Sequence, residues 1–447
     1  MPHDPTSALA PALFGWNPAV VALTLFIGSY LLIMSERVNR AIVALLGASL
    51  MILTGILNQE AAVAGVDFNT IGLLLGMMVI VGITQKSGVF QYVAIWSAKR
   101  VRAHPWGVLL MLSGVTALFS ALLDNVTTVL LIAPVTLLIA EELQIHPYPL
   151  LFSEIFASNI GGTATLIGDP PNIMIGSAAG LTFNDFLLHL APISLVILLA
   201  MLVPIYFIWG RRLQASPERR ARVMAFRERE AIQDVRLLKQ AGFVLALVIL
   251  GFLAHGLLGL EPATIAVFGA ALLLLLSNWG KRGEEQSEAV QHAFSQAEWV
   301  TLFFFVGLFI LVAGVERTGM LELLAQKTLS LTGGELGATA LTILWVSALA
   351  SAFIDNIPFV ATMIPLIKGM GGVFTPTQLE VLWWSLALGA CLGGNGTLIG
   401  ASANLVVAGM AERVGYGFRF LDFLKVAFPL MLLSIGIATI YVYLRYL

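Results

Sequence analysis

A single cysteine, Cys391, stands among the 447 residues of this chain. That excludes an intrachain disulfide and any thiolate metal cluster. Charge is nearly as scarce. Only 11% of residues are charged, where a soluble chain carries about 25%. The net charge is -2, and no basic surface suggests nucleic acid as a partner. His-Glu-x-x-His and Gly-x-Ser-x-Gly are both missing. The glycine-rich stretch at 161–168 lacks the P-loop spacing with its closing Lys-Ser/Thr. ATP-driven pumping by this chain alone is therefore unsupported, and neither enzymatic activity nor a cofactor is expected. The opening residues, Met1 to Thr6, have no positive n-region, so the first apolar run is expected to stay on the chain. What remains is apolar: 58% hydrophobic residues, 42 glycines and a mean hydropathy of +0.91. This is an integral membrane protein, and the lipid bilayer is its first partner.

A crossing takes about 20 apolar residues. Single runs at 17–34, 41–57, 68–84, 186–209, 238–256, 262–279, 298–315 and 420–444 meet that length. Two regions, 106–140 and 336–370, hold two crossings' worth of residues, with Asp-Asn near the middle and a Pro ten positions after the Asp. Each is expected to be a re-entrant hairpin with Asp-Asn at its tip. Segments 150–180 and 380–410 are apolar but interrupted by Gly, Thr and Asn, as in discontinuous helices. Irregular backbone at that depth survives only where it is buried in protein or lines a wet cavity.

These interruptions are duplicated. Ser120 to Pro134 returns as Ser351 to Pro365 with six of 15 positions identical, and Gly162 to Asn172 returns as Gly394 to Asn404 with six of 11. The expected layout is thus repeat 1 (1–209), a linker (210–239) and repeat 2 (240–447). Each repeat has five transmembrane helices, one of them broken, plus a hairpin. Five crossings is an odd number, so the second repeat is inverted. With the N-terminus outside, 20 of the 24 Lys and Arg residues fall inside, a strong positive-inside bias. Both termini are then outside a cell inner membrane. The basic run at 210–239 reads as a solvated linker that sets orientation, with a nucleic-acid or anionic-lipid patch as the alternative. Segments 88–103 and 318–332 read as interfacial helices leading into the hairpins.

An ionisable residue in the membrane is a functional hypothesis by default. Asp124, Asp355 and Asp169 qualify, and no Lys or Arg lies in the hairpins or broken helices near them. A buried unpaired carboxylate is neutralised by a proton or by a bound cation, which is how a carrier couples to H+ or Na+. Asn125, Thr127, Thr128, Asn159, Thr163, Thr165, Asn172, Asn356, Asn395, Thr397 and Asn404 offer further polar atoms for substrate or ion. A Na+ site is expected at Asp124, Asn125, Asp355 and Asn356. Asp169 stands apart because its repeat mate is Ala401. Its segment, Gly168-Asp169-Pro170-Pro171-Asn172, cannot be continuous helix. Capping of the helix half that begins at Pro170 is the competing role for it. Cys391, one thiol alone, reads as a small core residue rather than a soft-ion ligand.

The run Ala157 to Gly176, together with the two Asp-Asn tips, resembles the ion transporter superfamily. The likeness is to its arsenite permease and sodium/proton antiporter branch (ArsB/NhaD), which includes the pigmentation P protein. The resemblance spans nearly the whole chain. It implies two inverted repeats with substrate and ions held between hairpin tips and unwound helices, a homodimer and, in arsenite systems, a separate ATPase subunit. The related sodium-coupled dicarboxylate carriers have Ser-Asn-Thr at their tips and Thr-Pro-Pro in the unwound segment. Here Asp124-Asn125-Val126, Asp355-Asn356-Ile357 and Asp169-Pro170-Pro171 stand instead. Added carboxylates repel di- and tricarboxylates. The expected function is therefore proton-coupled efflux of arsenite or antimonite, with Na+/H+ antiport second and carboxylate carriage third. From a different class, an intramembrane aspartyl protease would leave the duplicated tips unexplained, and a passive channel would show no dependence on an ion gradient.

Overall fold

A computed structural model describes residues 15–35 and 37–447. The start of the chain, expected outside the membrane, lies outside the described residues. Among those described, all regular structure is helical. Repeat 1 contains α1 (Pro18–Met34), α2 (Arg40–Leu53), α3 (Gln59–Ala64), α4 (Phe68–Gln85), α5 (Val89–Arg100), α6 (Pro105–Leu122), α7 (Asn125–Leu143), α8 (Tyr148–Thr163), α9 (Pro170–Ala179), α10 (Phe183–His189) and α11 (Ala191–Ile205). The connecting segment carries α12 (Pro217–Met224). Repeat 2 contains α13 (Val235–Leu258), α14 (Pro262–Asn278), α15 (Gly283–Ser295), α16 (Trp299–Glu316), α17 (Met320–Leu331), α18 (Leu336–Phe353), α19 (Asn356–Lys368), α20 (Pro376–Gly393), α21 (Ser402–Arg413) and α22 (Phe420–Tyr446).

Pairings recur between the halves. Helix α2 packs on α16 as α14 packs on α4, and α6 packs on α8 as α18 packs on α20. The hairpins are α6–α7 and α18–α19, and the broken helices are α8–α9 and α20–α21. Contacts also separate two ends of the bundle. At one end His146 meets Tyr416 and Tyr148 meets Trp209, while Lys99 pairs with Glu228 of the connecting segment. At the other end the Phe183 amide donates to His255, and Tyr446 bonds His189. The chain therefore enters α13 at the end opposite the one where α22 finishes, and the second repeat is inverted. Helices α5 and α17 lie alongside the hairpins. Helices α3, α12 and α15 are not signalled by hydropathy, because they are short or polar and lie between the apolar runs, and the short α10 overlaps the start of the 186–209 run.

Paired glycines explain how the broken helices seat. A Cβ on Gly161 would lie 2.2 Å from the Ala117 carbonyl oxygen, and one on Gly393 would lie 2.5 Å from that of Ala348. The backbones of α6 and α8, and of α18 and α20, touch at these points, as small residues allow in membranes. Ser120 and Ser351 then donate hydroxyls across the same crossings, to the carbonyls of Ser158 and Ala390, each at 2.6 Å. Gly161→Ala forces those backbones apart, and overpacking of this kind costs about 1–3 kcal/mol. A thermal melt in detergent checks it: Gly161→Ala should melt well below wild type, whereas Gly114→Ala, where the added carbon meets nothing within 4 Å, should not.

Candidate substrate and ion site

Four helix N-termini converge where the two halves meet, those of α7, α9, α19 and α21. Three of the four begin after an aspartate: Asp124, Asp169 and Asp355. The fourth follows Ala401. At the first tip α6 stops at Leu122, and Asp124, in extended backbone, accepts the Thr127 amide at 2.8 Å. At the second tip Asp355 accepts the Ile357 amide at 3.1 Å. Both tip aspartates are therefore helix caps as well as carboxylates. Asp124→Ala should lower stability by about 1 kcal/mol, while Asp124→Asn, which still caps, should not; equal melts for the two variants would remove the capping role.

Asp169 behaves differently. It is 1% exposed and makes no side-chain cap bond. The two residues after it are prolines, which have no N–H to give. The Asn356 amide of the opposite hairpin tip donates to it, at 3.3 and 3.4 Å from the two carboxylate oxygens. The capping role weighed for this residue is thus not the one it plays here.

A narrow cleft joins these groups. Asp124, Asn125, Asp169 and Asn356 line it together with Arg40, Glu298, Thr301 and Ser402. Arg40 overturns one expectation. The aspartates are expected to be unpaired, with no Lys or Arg in the hairpins or broken helices near them. The Arg40 guanidinium, on the first residue of α2, instead donates to Asp355 at 2.9 Å, to Ser402 at 2.7 Å and to Thr301 at 3.2 Å. The side chain also lies over the Phe304 ring. Its long side chain reaches from the helix start into the bundle. The four-residue Na+ site drawn at both tips is consequently not assembled as a unit. Asp124, Asn125 and Asn356 share the cleft, whereas the Asp355 carboxylate is committed to Arg40 and Ser402.

Behind the cleft, asparagines tie the halves together. Asn125 donates to Asn159 at 3.2 Å, and Asn159 donates to Asn395 at 3.0 Å and to Asn404 at 2.9 Å. Among the described residues, three buried polar atoms here have no hydrogen-bond partner: Asn125 Oδ1, Thr128 Oγ1 and Asn395 Nδ2. The repeated Thr and Asn of the broken helices turn elsewhere. Thr165 donates to the Ala121 carbonyl and Thr397 to that of Ala352, each at 2.5 Å. Thr163 bonds its own helix at Asn159. The Asn172 amide serves the carbonyls of Gly162, Thr163 and Thr165, and the Asn404 amide those of Gly394 and Thr397. These groups satisfy the carbonyls freed where each helix breaks, so they staple the break and do not line the cleft. Cys391 is buried, with its thiol 3.4 Å from Asn172 Oδ1, and it does not line the cleft either.

Sequence reasoning passed over Arg40, Glu298, Ser402 and Glu154. A signal for Glu298 existed: Asp67 and Thr70 recur 231 positions later as Glu298 and Thr301, each pair at the start of a spanning helix. Glu154 is buried inside α8 and accepts the Thr136 hydroxyl of α7, and its second carboxylate oxygen has no partner among the described residues. Among the described residues, no group of three or more His, Cys, Asp or Glu is arranged to hold a metal ion.

Inverted repeats with broken helices and hairpin tips that meet around buried carboxylates define a secondary membrane transporter. Comparison with known proteins agrees. Residues 30–389 match the model of a family described as citrate transporter. An uncharacterised transporter of Mycobacterium bovis is 47% identical over 433 residues, covering 96% of this chain and 99% of the relative. A 46 kDa membrane protein of Mycobacterium leprae is 45% identical over 434 residues, at the same coverage. The P protein of Sus scrofa is 34% identical over 505 residues, covering 94% of this chain and 59% of that protein. The YdaH transporter of Alcanivorax borkumensis has the same fold: TM-score 0.58 and 16% identity, covering 96% of this chain and 99% of that one. The chain belongs to the citrate transporter family of the ion transporter superfamily.

Proposed function

We propose that this transporter couples solute movement to one cation, H+ or Na+, held by Asp169 and Asp124. The buried Asp169 carboxylate carries this reading, because it has an amide from the opposite repeat but no positive partner. One proton or sodium ion would neutralise that carboxylate.

The cargo this cleft favours is small and uncharged, and we assign it as arsenous or antimonous acid, exported against protons. With its one arginine already paired, the cleft offers an anion no free cation. Na+/H+ exchange is the second reading, favoured by the unpartnered oxygens Asn125 Oδ1 and Thr128 Oγ1. Carboxylate carriage, suggested by the family's description, would require Arg40 to leave Asp355.

Everted vesicles that record lumenal pH while arsenite, Na+ or citrate is added separate the three. Arsenite-driven proton movement supports the first reading, and a response to Na+ or citrate alone replaces it. Orientation is proposed on the arginine distribution, with the 210–239 segment cytoplasmic. In a Cys391→Ala background, cysteines at Ala215 and Thr332 should label from opposite sides, Ala215 from the cytoplasm, and labelling of both from the same side would sink the inverted-repeat layout.

A further inference from the structure

A second polar cavity, sharing no lining residue with the transport cleft, lies at the end of the bundle that carries the connecting segment. It encloses about 540 Å³ between the end of α4, the start of α13 and the α14–α15 turn. Three cations face it: Lys86, Arg236 and Lys281. Among the described residues, none of the three forms an ion pair with a carboxylate. The one acid lining the cavity, Asp234, is committed to the Leu237 amide at 2.9 Å. The C-terminal ends of α4 and α14 favour a nearby cation, which accounts for Lys86 and Lys281 singly. It does not account for Arg236, which sits in the first turn of α13, where the helix dipole is already positive. Partial burial and the facing Lys281 charge also push the Lys86 ammonium below its ordinary pKa. Three cations and one acid thus line the concavity, which carries a net positive charge.

The rim identifies the setting. Trp279 is 69% exposed beside the cavity, and indole is favoured at the headgroup level of a bilayer. Below it, α13 and α14 expose Phe243, Leu247 and Phe268, an apolar face suited to acyl chains. We propose that this cavity binds a phosphate group, carried by an anionic lipid headgroup or a free phosphate compound, and so ties the inter-repeat segment to α4 and α14. Lys86 and Lys281 supply point charges, and Arg236 supplies the planar fork that suits phosphate.

The test uses the full chain in neutral detergent and reads the melting temperature. The additives are phosphatidylglycerol, phosphatidylcholine and inorganic phosphate. Two triple variants are compared with wild type: Lys86→Gln/Arg236→Gln/Lys281→Gln in the cavity, and Arg219→Gln/Arg222→Gln/Arg229→Gln on the connecting segment outside it. Phosphatidylglycerol, but not phosphatidylcholine, should raise the melting temperature of wild type and of the outer variant, and not that of the cavity variant. If inorganic phosphate reproduces that pattern and phosphatidylglycerol does not, the ligand is a free phosphate compound. Equal loss in both variants means diffuse charge attraction and overturns the site. So does stabilisation of neither wild type nor the outer variant by any phosphate.

Discussion

Asp169→Asn should reduce coupled transport to the level of empty vesicles while the protein folds and melts at or above the wild-type temperature. Pro170 and Pro171 leave the first two helical positions without an N–H to give the Asp169 carboxylate. Burial removes water, and the Asn356 amide cannot balance a full charge. The group is therefore poised to take up a cation, and replacing it with an uncharged amide removes that need. Loss of an uncompensated buried charge does not destabilise and can stabilise. The result that defeats the idea is an Asp169→Asn protein whose transport still follows the pH or Na+ gradient as wild type does. Asp124 would then be left as the coupling group, since Asp355 is engaged by Arg40.

The architecture was legible because the chain states it twice. Two Asp-Asn tips, two Gly/Thr/Asn breaks and a basic connecting segment require inverted halves, and hydropathy marks the spans between them. The site was less legible for two physical reasons. Repetition reports what each half needs in order to fold, so Thr165, Thr397, Asn172 and Asn404, which staple the broken helices, give the same signal as a ligand would. Hydropathy also cannot tell which way a helix-terminal side chain turns. Arg40 counted as one loop charge among many, yet its guanidinium reaches inward to Asp355. Glu154 was hidden differently, as a lone acid within an apolar run whose repeat mate is Leu386.

Arg40→Gln should abolish transport and, unlike Asp169→Asn, should also destabilise the protein. Arg40 joins three parts: its own helix α2, Thr301 of α16, and the second hairpin tip with the start of α21 through Asp355 and Ser402. The pair is largely sheltered, with side chains 27% and 17% exposed. Loss of such a charged hydrogen-bonded partner costs on the order of 2 kcal/mol, much of it from the carboxylate left behind. Adding Asp355→Asn removes that orphaned charge, so the double variant should recover most of the stability lost in Arg40→Gln. Transport should not return with it, because the link between α2 and the hairpin tip is still missing. Arg40→Lys keeps the charge but not the fork that serves Asp355, Ser402 and Thr301 together, so it should fall between the two. Simple additivity of the single-variant stabilities in the double variant would show that the two groups are not energetically coupled. Arg40 would then be what the arginine distribution alone made it, a charge that orients the chain.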